Sequence, residues 1–371
     1  PDARFPELLS DGERLILLYQ EVQGEGEERD IYIRGRITRE GEELSAPFTV
    51  AGPFSVRTEP IPVIYSALLT DDGAVYIAAV STPERSEIYR AGPGSTEFSR
   101  TALLETEVTN VAPRIYEAAD GSLLLFVNQN VGVTQAILYS RSRDGENWSD
   151  LRRLETDPEV GLTFLPSHAR IGDREYVAFQ ALNLDLRGTY QLYLKWSDDA
   201  GESWSEAKRL TTFTDITQTE NADFYDNQRP HLERVGEETL GITWERRYQG
   251  RNRQIYYAEF DRNGDPGEAR DEVTSRIESA NFPRIITMED EKFLLWFTNP
   301  GGRSRVIIAR QVGIQWERKT ISPDGAEATF PDAQVHRGGV HVLWQQAAQQ
   351  GSRLTYLPPD QTILPPRLAG A

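Results

Sequence analysis

Seven times along the chain a proline opens a short strand-like segment, a turn follows, and a strongly apolar run comes next. The prolines are Pro6, Pro62, Pro113, Pro166, Pro230, Pro283 and Pro331. The apolar runs that follow them are 15–20, 74–80, 123–128, 175–180, 240–245, 293–298 and 340–345. Runs this short, bounded by turn residues and lacking a helical period, read as strands. The spacing between successive prolines stays near fifty residues, from 48 (Pro283 to Pro331) to 64 (Pro166 to Pro230). A repeat of that length with four short strands is the period of a propeller blade. The pattern predicts an all-β fold, a seven-bladed β-propeller of four-stranded antiparallel blades. A six-bladed ring, with the Pro6 and Pro331 segments sharing one blade, is the alternative.

Two of the repeats carry a defined turn. Residues 197–204 read Ser-Asp-Asp-Ala-Gly-Glu-Ser-Trp. Ser197 and Asp199 can accept turn amide hydrogens, Gly201 can take a backbone angle other residues avoid, and Trp204 can cover the hairpin with a large ring. A second copy lies at Ser142, Asp144, Gly145 and Trp148, one residue shorter between Asp and Trp, and weaker echoes occur at 94–98, 261–264 and 313–316. Each full copy follows an alternating strand (136–140 and 191–196), so the turn joins two outer strands and its aspartate reads as structural. Removing the Trp204 ring is expected to cost about 3 to 5 kcal/mol.

Composition narrows the classes. The 371 residues exceed the length at which one core usually splits, about 250 to 300, but a propeller stacks many small cores between blades. One domain is therefore expected over 1–366, with 367–371 as a tail. The net charge of −18 repels nucleic acid and anionic membrane surfaces, and no apolar run approaches the roughly 20 residues of a membrane span. The chain has no cysteine, which removes disulfides, zinc-thiolate sites and thiol redox chemistry and is mildly typical of bacterial exported proteins. It opens on Pro1 rather than Met, the reading expected of a mature or trimmed chain. The proline-rich stretch 357–371 reads partly as a last strand and partly as a linker toward a larger membrane-anchored or multidomain protein.

With these turns and this period, the chain resembles the sialidase-type Asp-box propellers, also called BNR-repeat proteins, over nearly its whole length. The resemblance implies the fold and leaves the activity open, since that group spans sialidases, other glycoside hydrolases, assembly factors, sorting receptors and sensor ectodomains. Sialidases open their first inner strand with Arg-Ile-Pro, and Arg4, Phe5 and Pro6 match as Arg-x-Pro. This implies that Arg4 is the first arginine of a carboxylate-binding cluster, with Arg114, Arg229 and Arg284 beside other inner-strand prolines. The chain departs from sialidases in counting seven units rather than six. Their acidic loop residue and their paired tyrosine and glutamate are not placed.

The residues that follow the prolines are mostly polar: Glu7, Val63, Arg114, Ser167, His231, Arg284 and Asp332. The apolar runs end on Gln20, Asn128, Gln180, Glu245, Thr298 and Gln345, often just after an aromatic such as Trp244. Aromatic-then-polar pairs suit sugar or peptide binding; the competing reading is that the aromatics pack between blades and the polar groups satisfy strand ends. The ligand-binding candidates are Arg4, Arg114, His231, Trp244, Arg246, Arg284 and Gln345. Two loops add to them. Segment 213–229 holds Asp223, Tyr225, Asp226 and Asn227, oxygen ligands suited to calcium or acids suited to proton transfer, and 245–253 is a dense basic stretch that suits an anion. Apart from calcium no cofactor is expected, and no metal-binding spacing links His168, His231, His336 and His341. The catalytic candidates are Asp223, Tyr225, Glu245 and Asp332.

The expected function is that of an exported, extracytoplasmic recognition or sensor propeller, non-catalytic, with a glycan or protein ligand at the channel mouth. A sialidase-like glycoside hydrolase is the alternative. A third class, an assembly scaffold, would show an exposed apolar patch on an outer blade edge.

Overall fold

A computed structural model describes all residues except 1, 25, 27–28, 40–42, 56–59, 107–108, 132–133, 158–159, 184–188, 212–224, 249–251, 276 and 363–371. At 109–111, 131, 134, 225, 248, 268–270 and 362 the backbone alone is described. The chain forms seven sheets in sequence order, each an antiparallel meander: blade I (2–54), II (65–105), III (109–153), IV (160–209), V (225–272), VI (280–320) and VII (328–357). Six have four strands and blade VII has three among the described residues. The Pro6 and Pro331 segments pair in different sheets, so the ring has seven blades and closes by packing blade I on blade VII, without a shared strand. This rules out the six-bladed alternative.

Each blade is stable only against its neighbours, and the core is accordingly divided into seven apolar clusters, one per blade interface. Second strands are apolar on both sheet faces over runs such as 293–297 and 123–127, because both faces are covered. The smallest cluster, Leu8, Leu15, Leu17 and Leu343, lies at the I–VII closure, where hydrogen bonds supplement it: Leu8 N to Asp332 Oδ2 at 2.7 Å and Ser10 Oγ with His336 Nδ1 at 2.7 Å.

The two turn motifs join third and fourth strands at the lower face, as do the three weaker echoes. Ser197 Oγ accepts the Gly201 N–H at 2.8 Å and Asp199 Oδ1 accepts that of Ser203 at 2.9 Å; Ser142 and Asp144 repeat the arrangement with Gly145 and Asn147. The tryptophans, however, look outward to the preceding blade. Trp204 of blade IV meets Phe126 and Tyr139 of blade III at 6.0 and 6.1 Å, and Trp316 of blade VI meets Tyr257 of blade V at 5.2 Å. The glycines must stay small for the same reason: a Cβ on Gly145 would stand 2.6 Å from the Tyr76 ring of blade II. Since Trp204 is only partly buried, Trp204→Ala is expected to cost about 2 to 3 kcal/mol in chemical unfolding, below the value for a fully enclosed ring. A loss under about 1 kcal/mol would remove the turn from the inter-blade core.

Candidate functional site: the central channel and its upper mouth

The inner strands start at the upper face, and six of them break register there. Phe5, Ala112, Leu165, Arg229, Phe282 and Phe330, each just before a proline, have φ between 48° and 58°. The residue before a proline is normally extended, and left-handed backbone at a non-glycine residue is strained. At four of the six a side chain from the preceding blade accepts the N–H, whereas Ala112 donates to the Val63 carbonyl at 2.8 Å. Asn128 Oδ1 accepts the Leu165 N–H (3.1 Å), Gln180 Oε1 that of Arg229 (2.9 Å), Glu245 Oε1 that of Phe282 (2.8 Å) and Gln345 Oε1 that of Phe5 (3.4 Å). Gln20 serves blade II in the same way through Ile64 N at 2.7 Å. Five of the six polar ends of the apolar runs thus form an upper ring of inter-blade hydrogen bonds, while the Thr298 hydroxyl donates to the Glu278 carbonyl.

A second ring lies one step lower, made by the residues that follow the prolines. Glu7 Oε2 accepts the Ala67 N–H (2.7 Å), Ser167 Oγ that of Leu232 (2.9 Å), His231 Nδ1 that of Ile285 (3.2 Å) and Asp332 Oδ2 that of Leu8. In blade II the inner strand begins at Tyr65, three residues after Pro62, so Ser66 rather than Val63 occupies this level. These side chains line a central channel of about 750 Å³ together with Arg114, Tyr116, His168, Glu233 and Arg284.

Burial raises Glu7 to about 7, with Arg114 and Arg284 opposing and Asp332 adding to the rise. Burial likewise raises Glu233 to about 7. Burial, reinforced by Arg284 and Arg114, lowers His231 to about 3, so its ring is neutral, accepts at Nδ1 and carries its proton on Nε2. Arg284 lies 3.2 Å from Asp332; burial opposes its charge, but Asp332 and Glu7 hold it above the ordinary guanidinium range. His168 bonds Glu175 at 2.7 Å and stacks on Tyr116 at 4.6 Å.

The mouth above the channel has two unlike halves. On one side Phe5, Phe330 and Phe282 form a chain of edge contacts at 4.8 and 4.9 Å. On the other, Glu245 Oε2 is held by Arg229 at 2.7 Å and Arg253 at 3.0 Å, and the Arg229 guanidinium lies over the Phe282 ring at 4.9 Å. Glu245 is 1% exposed while the two arginines are 29% and 31% exposed, so the cluster shows a positive edge to solvent. Burial lowers the Arg253 guanidinium from its ordinary value, with Glu245 opposing.

Of the sequence candidates, the channel brings together Arg114, His231, Arg284 and Asp332. Arg4 is outside the channel lining and pairs with Asp2 at 2.6 Å, so it does not complete a three-arginine cluster there. Trp244 is buried between blades IV and V, where it bonds Asn227 and stacks on Tyr256; Arg246 is buried over the same tyrosine at 5.1 Å. Gln345 belongs to the upper ring. Asp223 and the Tyr225 side chain lie outside the described residues. Asp226 and Asn227, expected in a loop, stand instead in the first strand of blade V (Tyr225–Arg234), where Asp226 accepts the Tyr190 N–H and Asn227 accepts from Trp244, and among the described residues no three His, Asp or Glu side chains are grouped to hold a metal. The exposed apolar residues Leu103, Ile277 and Ile314 are scattered over separate elements. Sequence singled out Arg229, Glu245 and the basic stretch 245–253 one by one but not their meeting in one cluster, and it did not select the phenylalanine half of the mouth, whose signal lay in the residues preceding the prolines.

Sheet order and channel together define a seven-bladed propeller with a polar channel. Solved structures share this fold. The chain is similar to the polysaccharide lyase Uly1, at 10% identity over 96% of this chain and 89% of that one, with a TM-score of 0.63. It is similar to the α-L-arabinofuranosidase Arb93A of Fusarium graminearum, at 13% identity, 82% and 95% coverage and a TM-score of 0.60. The Hadza microbial sialidase Hz136 matches at 13% identity over 97% of this chain and 66% of that one, with a TM-score of 0.50. No protein-family profile and no curated protein sequence matches the chain.

Proposed function

We propose that this protein is an Asp-box propeller that binds a saccharide at the upper mouth without turning it over, in an extracytoplasmic setting. The observation that carries the reading is the use already made of the acids. Glu7, Glu245 and Asp332 each accept a backbone N–H from the next blade, so their carboxylates are parts of the two rings. The mouth offers what a sugar needs otherwise: aromatic rings on one side for its C–H face and arginine N–H groups on the other for its hydroxyls. The likeness in fold to a polysaccharide lyase, an arabinofuranosidase and a sialidase supports a saccharide over a peptide. The absence of cysteine suits an exported protein.

One observation favours the hydrolase reading. Glu7, held near pH 7, lies close enough to Asp332 to feel its charge, and an acid of raised pKa beside a second carboxylate is what glycoside hydrolysis uses. A glycan array and a fluorogenic glycoside panel that includes sialosides separate the two. Binding without release is expected, with affinity falling about tenfold in Phe282→Ala, the equivalent of one aromatic contact. Release that Glu7→Gln abolishes would replace the binding reading with the hydrolase.

A further inference from the structure

The seam between blades I and VII has the smallest apolar cluster of the ring, with Leu8, Leu15, Leu17 and Leu343 as its buried members. It also carries two of the protein's four histidines. His336 ends the inner strand of blade VII and is buried, and its Nδ1 lies 2.7 Å from the Oγ of Ser10, the last residue of the inner strand of blade I. His341 of the next strand, 339–347, is half-buried. Its ring centre lies 5.4 Å from that of His336, it stacks on Tyr356 at 5.9 Å, and its Nδ1 meets the Tyr356 hydroxyl at 2.6 Å. Strand register turns all of these side chains toward blade I. His341 is opposite Gln334, two residues from His336, and Tyr356 is opposite Leu343, a member of the seam cluster.

Burial, with Asp360 adding, raises the Tyr356 hydroxyl above its ordinary value, so it keeps its proton and donates to Nδ1 of a neutral His341. Burial lowers His341 below its ordinary value, the charge of His336 adds to the fall, and a hydrogen bond to the His336 backbone opposes it. The acids around the pair are occupied or screened. Asp11, in the turn after Ser10, is taken by Arg14 at 2.6 Å, and Asp332, further up the His336 strand, by Arg284 at 3.2 Å. Asp360 of the helix 359–362 is exposed to water, and Lys319 of blade VI reaches the same helix at the Gln361 carbonyl, 2.6 Å away. Arg337 donates from Nε to the Gly12 carbonyl at 3.0 Å, which puts a further positive charge across the seam. A proton on His341 therefore adds like charge to an interface with little apolar area to offset it.

We propose that this seam is an acid-released latch: protonation of His341 beside His336 loosens blade I from blade VII while the other blade interfaces stay closed. A histidine whose folded value lies below its ordinary 6.5 contributes its full stability above that pH and loses it as the pH falls from there through the folded value. The latch reaches the upper mouth. Phe5 of blade I and Phe330 of blade VII meet across the same seam at 4.8 Å, and Gln345 Oε1 holds the Phe5 N–H at 3.4 Å, so loosening parts these two rings. On the saccharide reading, on which this consequence alone rests, a bound ligand loses part of its aromatic support in acid.

Amide hydrogen exchange read by mass spectrometry at pH 8 and pH 5, expressed as protection relative to the intrinsic rate at each pH, tests the latch without any ligand. Protection of segments 2–10 and 339–347 is expected to fall about tenfold at pH 5, the size of one pKa unit of coupling, while the second strands of blades III and IV, 123–131 and 174–183, keep theirs. His341→Gln supplies an amide oxygen that can accept the Tyr356 hydroxyl and does not titrate in this range. It is expected to show the same seam protection at both pH values. His336→Gln removes the neighbouring charge, is expected to reduce the fall, and serves on its own should His341→Gln fail to fold. Glu7 and Glu233 also change charge in this range, but both variants leave them in place, so the difference between wild type and variant belongs to the seam. Equal seam protection of the wild type at the two pH values, a fall shared by all blades, or a fall undiminished in the folded variants overturns the latch.

Discussion

Glu245→Ala is expected to destabilise the propeller by about 2 to 4 kcal/mol in urea unfolding, while Glu245→Gln costs about half as much. The carboxylate has two roles that the variants separate. Oε1 accepts the N–H of Phe282, a residue held in left-handed backbone, and a glutamine oxygen can do the same. Oε2 holds Arg229 and Arg253, and only a charge does that well. Alanine loses both and leaves two half-buried guanidinium groups repelling each other. Since each arginine is about a third exposed, water screens part of the repulsion, which keeps the expected loss below that of a fully enclosed pair. Equal losses for Ala and Gln would show that the hydrogen bond to Phe282 contributes nothing. At this position four other blades place amides, Gln20, Asn128, Gln180 and Gln345, and blade VI places Thr298, so the glutamate is the one charged group among these positions.

Trp244→Ala is expected to cost about 3 to 5 kcal/mol, the largest single-residue effect proposed for this molecule. The indole is 2% exposed in the cluster between blades IV and V, stacks on Tyr256 at 5.6 Å, and donates from Nε1 to Asn227 Oδ1 at 2.8 Å. Removing it opens a cavity and leaves the Asn227 oxygen without its donor. Chemical unfolding reads the loss, and Trp244→Phe, which keeps most of the volume, should recover more than half of it. Saccharide binding by folded Trp244→Phe should match the wild type, because the ring faces the interior. A selective loss of binding with stability unchanged would place Trp244 at the ligand after all.

The blade repeat was legible because it is a local pattern. A proline, a short strand, a turn and an apolar run recur where each blade must cross the same environment, and every apolar run lies in a second strand covered on both faces. Blade II shows the limit of that reading. Pro62 preserves the period, yet its inner strand begins at Tyr65, since no bulge forms there and register is set by pairing with 75–82. The mouth and channel were legible only as a list of polar positions. Sequence placed Arg114, His231, Arg284 and Asp332 at equivalent points of four repeats, and ring closure brought them to one cavity. Arg4, two residues before Pro6, was expected to join them from its Arg-x-Pro resemblance, but its guanidinium pairs with Asp2 two residues away.

By itself, then, the sequence determined the blade, its period and its turn chemistry, and through them an all-β ring, because these depend on alternation, backbone angles and contacts within about fifty residues. Only the tertiary structure decided which polar groups hold blades together and which remain to meet a solute. That choice depends on the neighbour each side chain finds across a blade interface: Glu7 meets the Ala67 N–H, Glu245 meets two arginines, and Arg114 meets no carboxylate among the described residues. Such partners come from different repeats, so no local pattern records them.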